Sequence, residues 1–268
     1  MKIGNGEFDT ENNTYVMGIL NVTPDSFSDG GRFNSIDRAL EHAEQMIEEG
    51  ADIIDIGGES TRPGYTKIPD GEEISRVVPV IQAVKKRFDI PVSLDTYKSG
   101  VAKAGLDAGA DLVNDIWGLK YDENMAAVIA EYDAACCLMH NRNQPDYNDF
   151  AEDWIRDLEE SLRLAEQAGI RDEKIILDPG VGFGKTYEQN LIAIQKLEEL
   201  NRLGYPVLLG TSRKSVIGLT LDVPADERMV GTAVTTVFGV IARCAFVRVH
   251  DVKENVQAIK MTRAILQA

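Results

Sequence analysis

The run AFVRVH (residues 245–250) sets two basic side chains, Arg248 and His250, in alternation with Val247 and Val249. Extended backbone turns successive side chains to opposite faces, so Arg248 and His250 share one face and the valines share the other. The same period of two places Asn21, Asp95, Asn114, Met139, Asp178 and Gly210 at the last inward position of other short apolar runs, with Lys214 just beyond one of them. Polar groups at such positions have no hydrophobic reason to be there. Two carboxylates, two amides, an Arg, a His and a Lys at one rim can pair with the donors of a flat polar heterocycle and hold an anion beside it. Single residues have plainer readings: Asp95 can cap a helix starting near Tyr97, and Asp178, Pro179 and Gly180 can form a turn. Their convergence on one rim favours a site.

The run GVGFGKT (residues 180–186) ends like a phosphate-binding loop. That motif needs a glycine five residues before the glycine of its Gly-Lys pair, and position 179 is Pro179. The reading here is a loop whose glycines bring backbone close to a flat ligand, with Phe183 as a wall.

The elements that carry these residues are short Val-, Ile- and Leu-rich runs alternating with longer segments of helical period, the pattern of βαβ units in a parallel sheet. Eight strands are expected, at 15–21, 52–56, 91–95, 111–116, 134–139, 174–178, 206–210 and 245–250. Between the first two, residues 35–49 read as a helix with Ile36, Leu40, Ala43 and Ile47 on one face, Ser35 as its cap and Gly50 after its end. EEGADIIDIGG near residue 50 reappears as DAGADLVNDIWG near residue 109, a trace of repetition. Eight such pairs close into a single-domain (β/α)8 TIM barrel, whose ligands gather at the C-terminal ends of the strands. Residues 1–13 read as a polar extension, and the segments 23–33 and 58–67, rich in Gly and Pro, as mobile loops.

Composition sets outer limits. A formal net charge of −16 argues against a protein that tracks nucleic-acid phosphates, so an anionic ligand must be held by local cations. The polar start MKIGNGEFDTENNT is not a secretory signal, and the least polar stretch, residues 231–242, is too short to span a bilayer. Three cysteines with no C-x-x-C pair suit a reducing compartment, so a cytoplasmic location is expected. They do not supply four closed zinc ligands. Residues 233–242 (AVTTVFGVIA) carry no charge although an outer-ring helix should show a polar face, which leaves two readings, a deeply packed helix or, the favoured one, a surface covered in a homodimer.

NVTPDSFSDGG (residues 21–31), GGESTRPG (57–64), DPGVGFGKT (178–186), TSRKSVIG (211–218) and VRVHDV (247–252) together resemble the signature segments of dihydropteroate synthase, in that family's order. The chain departs from the pattern at Val216, where many relatives carry a larger apolar residue, and in residues 65–69. The resemblance implies a transferase of folate biosynthesis, the target of sulfonamides, that displaces pyrophosphate from 6-hydroxymethyl-7,8-dihydropterin pyrophosphate by the amine of 4-aminobenzoate. It implies that Asp95, Lys214, Arg248 and His250 are catalytic. The pterin pyrophosphate would be held by these four with Thr61, Asn114, Met139, Asp178 and Phe183, and 4-aminobenzoate by Phe27, Thr61, Arg62, Pro63 and Ser215. Asn21 would reach a magnesium ion. Two rivals are a methyltetrahydrofolate-binding methyltransferase, which needs neither the two loops nor a pyrophosphate grip, and a non-catalytic pterin-binding paralogue.

Overall fold

The structure is a computed structural model that describes the backbone of residues 1–23, 32–60 and 66–268, and their side chains except those of 32–35. The chain opens with a small antiparallel hairpin, β1 (Lys2–Ile3) and β2 (Gly6–Glu7). The parallel strands follow as β3 (Tyr15–Asn21), β4 (Ile53–Gly57), β5 (Val92–Asp95), β6 (Leu112–Asp115), β7 (Ala135–Met139), β8 (Ile175–Asp178), β9 (Leu208–Leu209) and β10 (Phe246–Val249). They hydrogen-bond in the order β8-β7-β6-β5-β4-β3-β10-β9, and a parallel bridge between Leu177 and Val207 joins the two ends. The result is the expected (β/α)8 barrel.

Helices return the chain from each strand to the next: α1 (Arg32–Glu49), α2 (Asp70–Arg87), α3 (Ser99–Asp107), α4 (Met125–Glu131), α5 (Phe150–Ala168), α6 (Tyr187–Gln195), α7 (Glu198–Asn201), α8 (Ser215–Leu221), α9 (Met229–Ile241) and α10 (Val252–Leu266). Local chemistry sets their ends. Asp149 accepts from Glu152 N at the start of α5, and Gly169 closes that helix in the left-handed region at φ +80°. Thr186 and Gln189 form a reciprocal capping box at the start of α6. The helix α1 begins at Arg32, so Ser35 lies inside it rather than capping it.

The period of two holds through the wall. Val247 and Val249 pack outward into the strand–helix core with Ile54, Ile56 and Leu177. Phe246 packs inward with Met17, Ile53, Leu112, Ile176 and Leu208 in a separate plug at the barrel's lower end. Residues 1–13 do more than extend the chain: the hairpin inserts Ile3 (0% exposed) and Phe8 into that plug, where Phe8 meets Phe246 and Tyr15. With the floor closed, polar inward residues are left for the opposite mouth.

Candidate functional site

Strand register builds one wall of the mouth. Asn21 pairs with Gly57, Gly57 with Asp95 and Asp95 with Asn114, so the terminal inward residues of β3 to β6 form one row. Met139 pairs with Asp178 on the next pair of strands. Asp95, Asn114 and Asp178 are buried, although each is polar.

Arg248 enters the row from β10. Its Nη2 donates to Asp95 Oδ2 at 2.6 Å and its Nε to Asp55 Oδ2 at 2.6 Å. Asp55 also accepts from Ser93 Oγ at 2.5 Å. Burial weighs against charge on Arg248, but Asp55 and Asp95 more than offset it and hold the guanidinium protonated. Burial pushes the Asp95 carboxyl up to about 7 despite the pull of Arg248. Among the described residues, Asp95 Oδ1 is buried without a hydrogen-bond partner. An acceptor left unmade in this way costs free energy unless a ligand or solvent meets it. Asp95 caps no helix: α3 starts at Ser99 with Lys98 at its cap position.

Asp178 forms the turn that was its plainer reading and also stands at the rim. Its Oδ1 accepts from Gly180 N at 2.6 Å and so organises the following turn, while the carboxyl stays buried at the rim, its pKa raised by that burial. Lys214 donates to Val181 O at 2.5 Å and lies 4.7 Å from the centre of the Phe183 ring. Burial brings its pKa down to about 8, with Asp178 the strongest opposing influence. At Gly210 a side chain would begin 3.3 Å from Asp178 Oδ2 and 3.8 Å from Lys214 Nζ, so glycine keeps that corner open.

The loop after β8 is folded around the amine of Lys185, whose burial drives its pKa well below the ordinary lysine range. Lys185 Nζ donates to Gly180 O at 2.8 Å and Phe183 O at 3.1 Å, and contacts His140 Nδ1 at 2.8 Å. Carbonyl oxygens therefore face inward, the reverse of the N–H cradle that a phosphate requires. Gly180 (φ +69°) is obligatory here, because a Cβ would fall 1.8 Å from His140 O. Phe183 joins Tyr97, Ile116, Trp117 and Met139 in an apolar cluster beside the rim.

His250 takes the mouth end of β10, with Nδ1 2.9 Å from Ser212 Oγ, and its backbone N donates to the same oxygen at 3.1 Å. Ser215 is exposed at the start of α8, directly after Lys214. Phe27, Thr61, Arg62 and Pro63 lie outside the described residues. Sequence reasoning missed Asp55 and Ser93. Both sit one inward position below the rim, and the signal was an acid in the otherwise apolar IIDIG of β4.

The chain matches the family model described as "Pterin binding enzyme" over residues 17–250. It is 60% identical over 268 residues to a dihydropteroate synthase of Clostridium beijerinckii, covering 100% of both chains. A crystal structure of dihydropteroate synthase from Clostridium difficile in the presence of pteroic acid superposes with a TM-score of 0.95 at 53% identity, over 98% of this chain and 100% of that one. The Xanthomonas albilineans dihydropteroate synthase with 4-aminobenzoic acid gives 0.92 at 39% identity, over 96% of this chain and 94% of that one. With a barrel mouth of this composition and full-length relatives at this identity, the chain belongs to the pterin binding enzymes and, within them, to the dihydropteroate synthases.

Proposed function

We propose that the mouth of this barrel binds 6-hydroxymethyl-7,8-dihydropterin pyrophosphate and 4-aminobenzoate and joins them into 7,8-dihydropteroate. The observation that carries the reading is the pairing of Asp95 with Arg248 beside the buried carboxyl of Asp178. Asp178 and Asn114 take the pterin's amino and ring N–H donors, Lys214 borders the same edge, and Met139 and Phe183 flank the ring. Arg248 and His250 receive the pyrophosphate. The bond from the methylene carbon to the pyrophosphate oxygen breaks with its electron pair leaving on the phosphate. Positive charge develops on the carbon, the amine nitrogen of 4-aminobenzoate bonds to it, and the amine then loses a proton. A fixed carboxylate at Asp95 favours that charge more than it favours the neutral ground state, which is the condition for acceleration. Phe27, Thr61, Arg62, Pro63 and Ser215 are assigned to the second substrate on family resemblance.

Family resemblance also implies magnesium, and the donor set fits it. Asn21 offers an oxygen beside Asp95: Asn21 Oδ1 and Asp95 Oδ2 each lie 3.8 Å from the point where a Gly57 side chain would begin. Among the described residues no group of three or more His, Cys, Asp or Glu could hold a metal. A magnesium ion held at Asn21 would draw its other ligands from phosphate and water and would neutralise charge on the pyrophosphate.

The same reading includes a homodimer and a cytoplasmic location. On α9, Val230, Val234, Phe238 and Ile241 form an exposed apolar stripe, each at least half exposed, beside Leu219 and Leu221 of α8. A stripe of this kind on an outer helix calls for a partner surface. No helix among the described residues is long and apolar enough to cross a membrane.

The decisive assay follows pyrophosphate release with the pterin pyrophosphate present, with and without 4-aminobenzoate. Release that does not depend on the amine would overturn the proposal.

A further inference from the structure

Below the mouth, between α2 and the turn after β5, four ionisable side chains are buried together. Lys98 Nζ donates to Glu59 Oε2 at 2.7 Å, to Glu73 Oε2 at 2.7 Å and to the Ile68 carbonyl at 2.8 Å. Glu59 Oε2 also accepts from Ile68 N at 2.8 Å, and Glu59 Oε1 accepts from the Tyr97 hydroxyl. The side chains of Lys98, Glu59 and Glu73 are 9%, 3% and 1% exposed. Arg76 Nη1 adds a bond to the Gly58 carbonyl at 2.8 Å.

The cluster grips main chain at both ends of one segment. Gly58 and Glu59 are where the chain leaves β4, and Ile68 is where it returns toward α2. Both polar groups of the Ile68 backbone are taken, one by Glu59 and the other by Lys98. The clamp is continuous with the catalytic wall, since Lys98 lies three residues beyond Asp95. An apolar cluster would hold α2 against this turn at least as well, because a buried ion network gains little net stability over well-packed hydrophobic residues. What the ion network adds is direction: every bond fixes a donor against an acceptor, and two acids compete for one ammonium.

We infer that Glu59 and Lys98 are positioning residues for the second substrate, fixing where the segment 60–67 starts and ends relative to Asp95. This rests on the proposal that Thr61, Arg62 and Pro63 of that segment serve 4-aminobenzoate. Neither Glu59 nor Lys98 is assigned a contact with substrate. Their influence passes through the backbone of Gly58, Glu59 and Ile68. The pterin rim of Asp95, Asn114 and Asp178 is built on strand ends that hold their register through ladder bonds of their own. Loosening the clamp therefore affects the two substrates unequally.

The test compares Lys98→Met, Glu59→Ala and the milder Glu59→Gln with the parent enzyme. At saturating pterin pyrophosphate, KM for 4-aminobenzoate should rise about tenfold in Lys98→Met and Glu59→Ala, the scale of one lost hydrogen bond to a charged group, and less in Glu59→Gln. Calorimetric affinity for the pterin pyrophosphate should hold. Hydrogen exchange at the Ile68 amide should accelerate in the same order. If Lys98→Met does not fold, Glu59→Gln and Glu59→Ala carry the comparison. Faster exchange at Ile68 with an unchanged KM, or parallel loss of affinity for both substrates, would overturn the inference. A parent enzyme showing no amine-dependent release would instead defeat the functional proposal. The exchange rate at Ile68 would still report whether the clamp holds the segment, and an unaltered rate would defeat the clamp itself.

Discussion

Replacing Asp178 by Asn changes one atom and separates the two roles of this carboxyl. Asparagine keeps an oxygen where Oδ1 accepts from Gly180 N, so the turn into residues 180–186 survives. The new amide group takes the place of Oδ2, the oxygen nearest the open corner at Gly210. A donor there meets the donors of a pterin, and one ligand N–H is stranded in a buried site. The loss of a charge-assisted bond together with a stranded donor amounts to roughly 2 to 4 kcal/mol. That corresponds to about 30- to 1,000-fold weaker binding. The ligand-free protein should change less, because two effects oppose. Burial raises the Asp178 pKa, so the native state pays for its ionisation above the ordinary carboxylate range, and asparagine removes that cost. Against this, Lys214 loses the strongest influence that supports its charge. Calorimetry with the pterin pyrophosphate near neutral pH, paired with thermal unfolding of the ligand-free variant, separates binding from stability. Unchanged pterin affinity would refute the assignment, and so would an affinity loss matched by an equal loss of stability.

Three further outcomes are expected. In the proposed reaction Asp95 serves as a carboxylate and Lys214 as an ammonium; with burial pushing the first up to about 7 and the second down to about 8, kcat/KM for the pterin pyrophosphate should climb as pH rises through about 7 and fall above about 8. Lys214→Arg should move the alkaline limb upward, and a flat profile across that range would contradict both roles. Asp55→Ala leaves the Nε arm of Arg248 and the Ser93 hydroxyl without their partner, and should cost about 3–5 kcal/mol in urea unfolding, the scale of a broken buried ion pair; a loss below about 1 kcal/mol would show that Asp95 alone secures Arg248. Phe238→Glu on α9 should convert a dimer into a monomer by light scattering at micromolar concentration, and a monomeric parent protein would remove the dimer from the proposal.

The fold was readable because its signal is repetitive. Each strand is an apolar run bounded by polar or glycine residues, and the observed strands fall within the expected spans or within one residue of them, as Gly57 at the end of β4 shows. The strand expected at 206–210 shrinks to Leu208–Leu209, since Pro206 has no N–H for a ladder and Val207 makes only an isolated bridge. Rim residues were readable by the same parity. Asp55 and Ser93 were not, because attention to the last inward position passes over the layer beneath it. The clamp was out of reach for another reason: Glu59, Ile68, Glu73 and Lys98 come from three chain segments, and no spacing in the sequence marks them as neighbours. The plug was hidden by composition, since Ile3 and Phe8 are isolated apolar residues in a polar stretch and gain meaning only against Phe246 and Met17.

How a chain of net charge −16 can grip a pyrophosphate follows from the way the mouth spends its few cations. Arg248 has one arm on Asp55, in the layer below, and one on Asp95, in the rim. The Asp55 arm, backed by Ser93, fixes the guanidinium before any ligand arrives, so little reorganisation is required when it meets an anion. The other arm makes Asp95 and Arg248 a fixed dipole. In the proposed reaction, positive charge grows on the methylene carbon beside Asp95 while negative charge gathers on the leaving group beside Arg248. Charge separation then runs along a dipole already oriented to receive it, in a buried site where such interactions are stronger than in water. The depressed pKa of Lys214 has the same origin: burial that weakens a lone ammonium also strengthens its attraction to Asp178. An excess of surface acid is compatible with this site because the decisive field is set locally, by paired charges held at one end of a closed barrel.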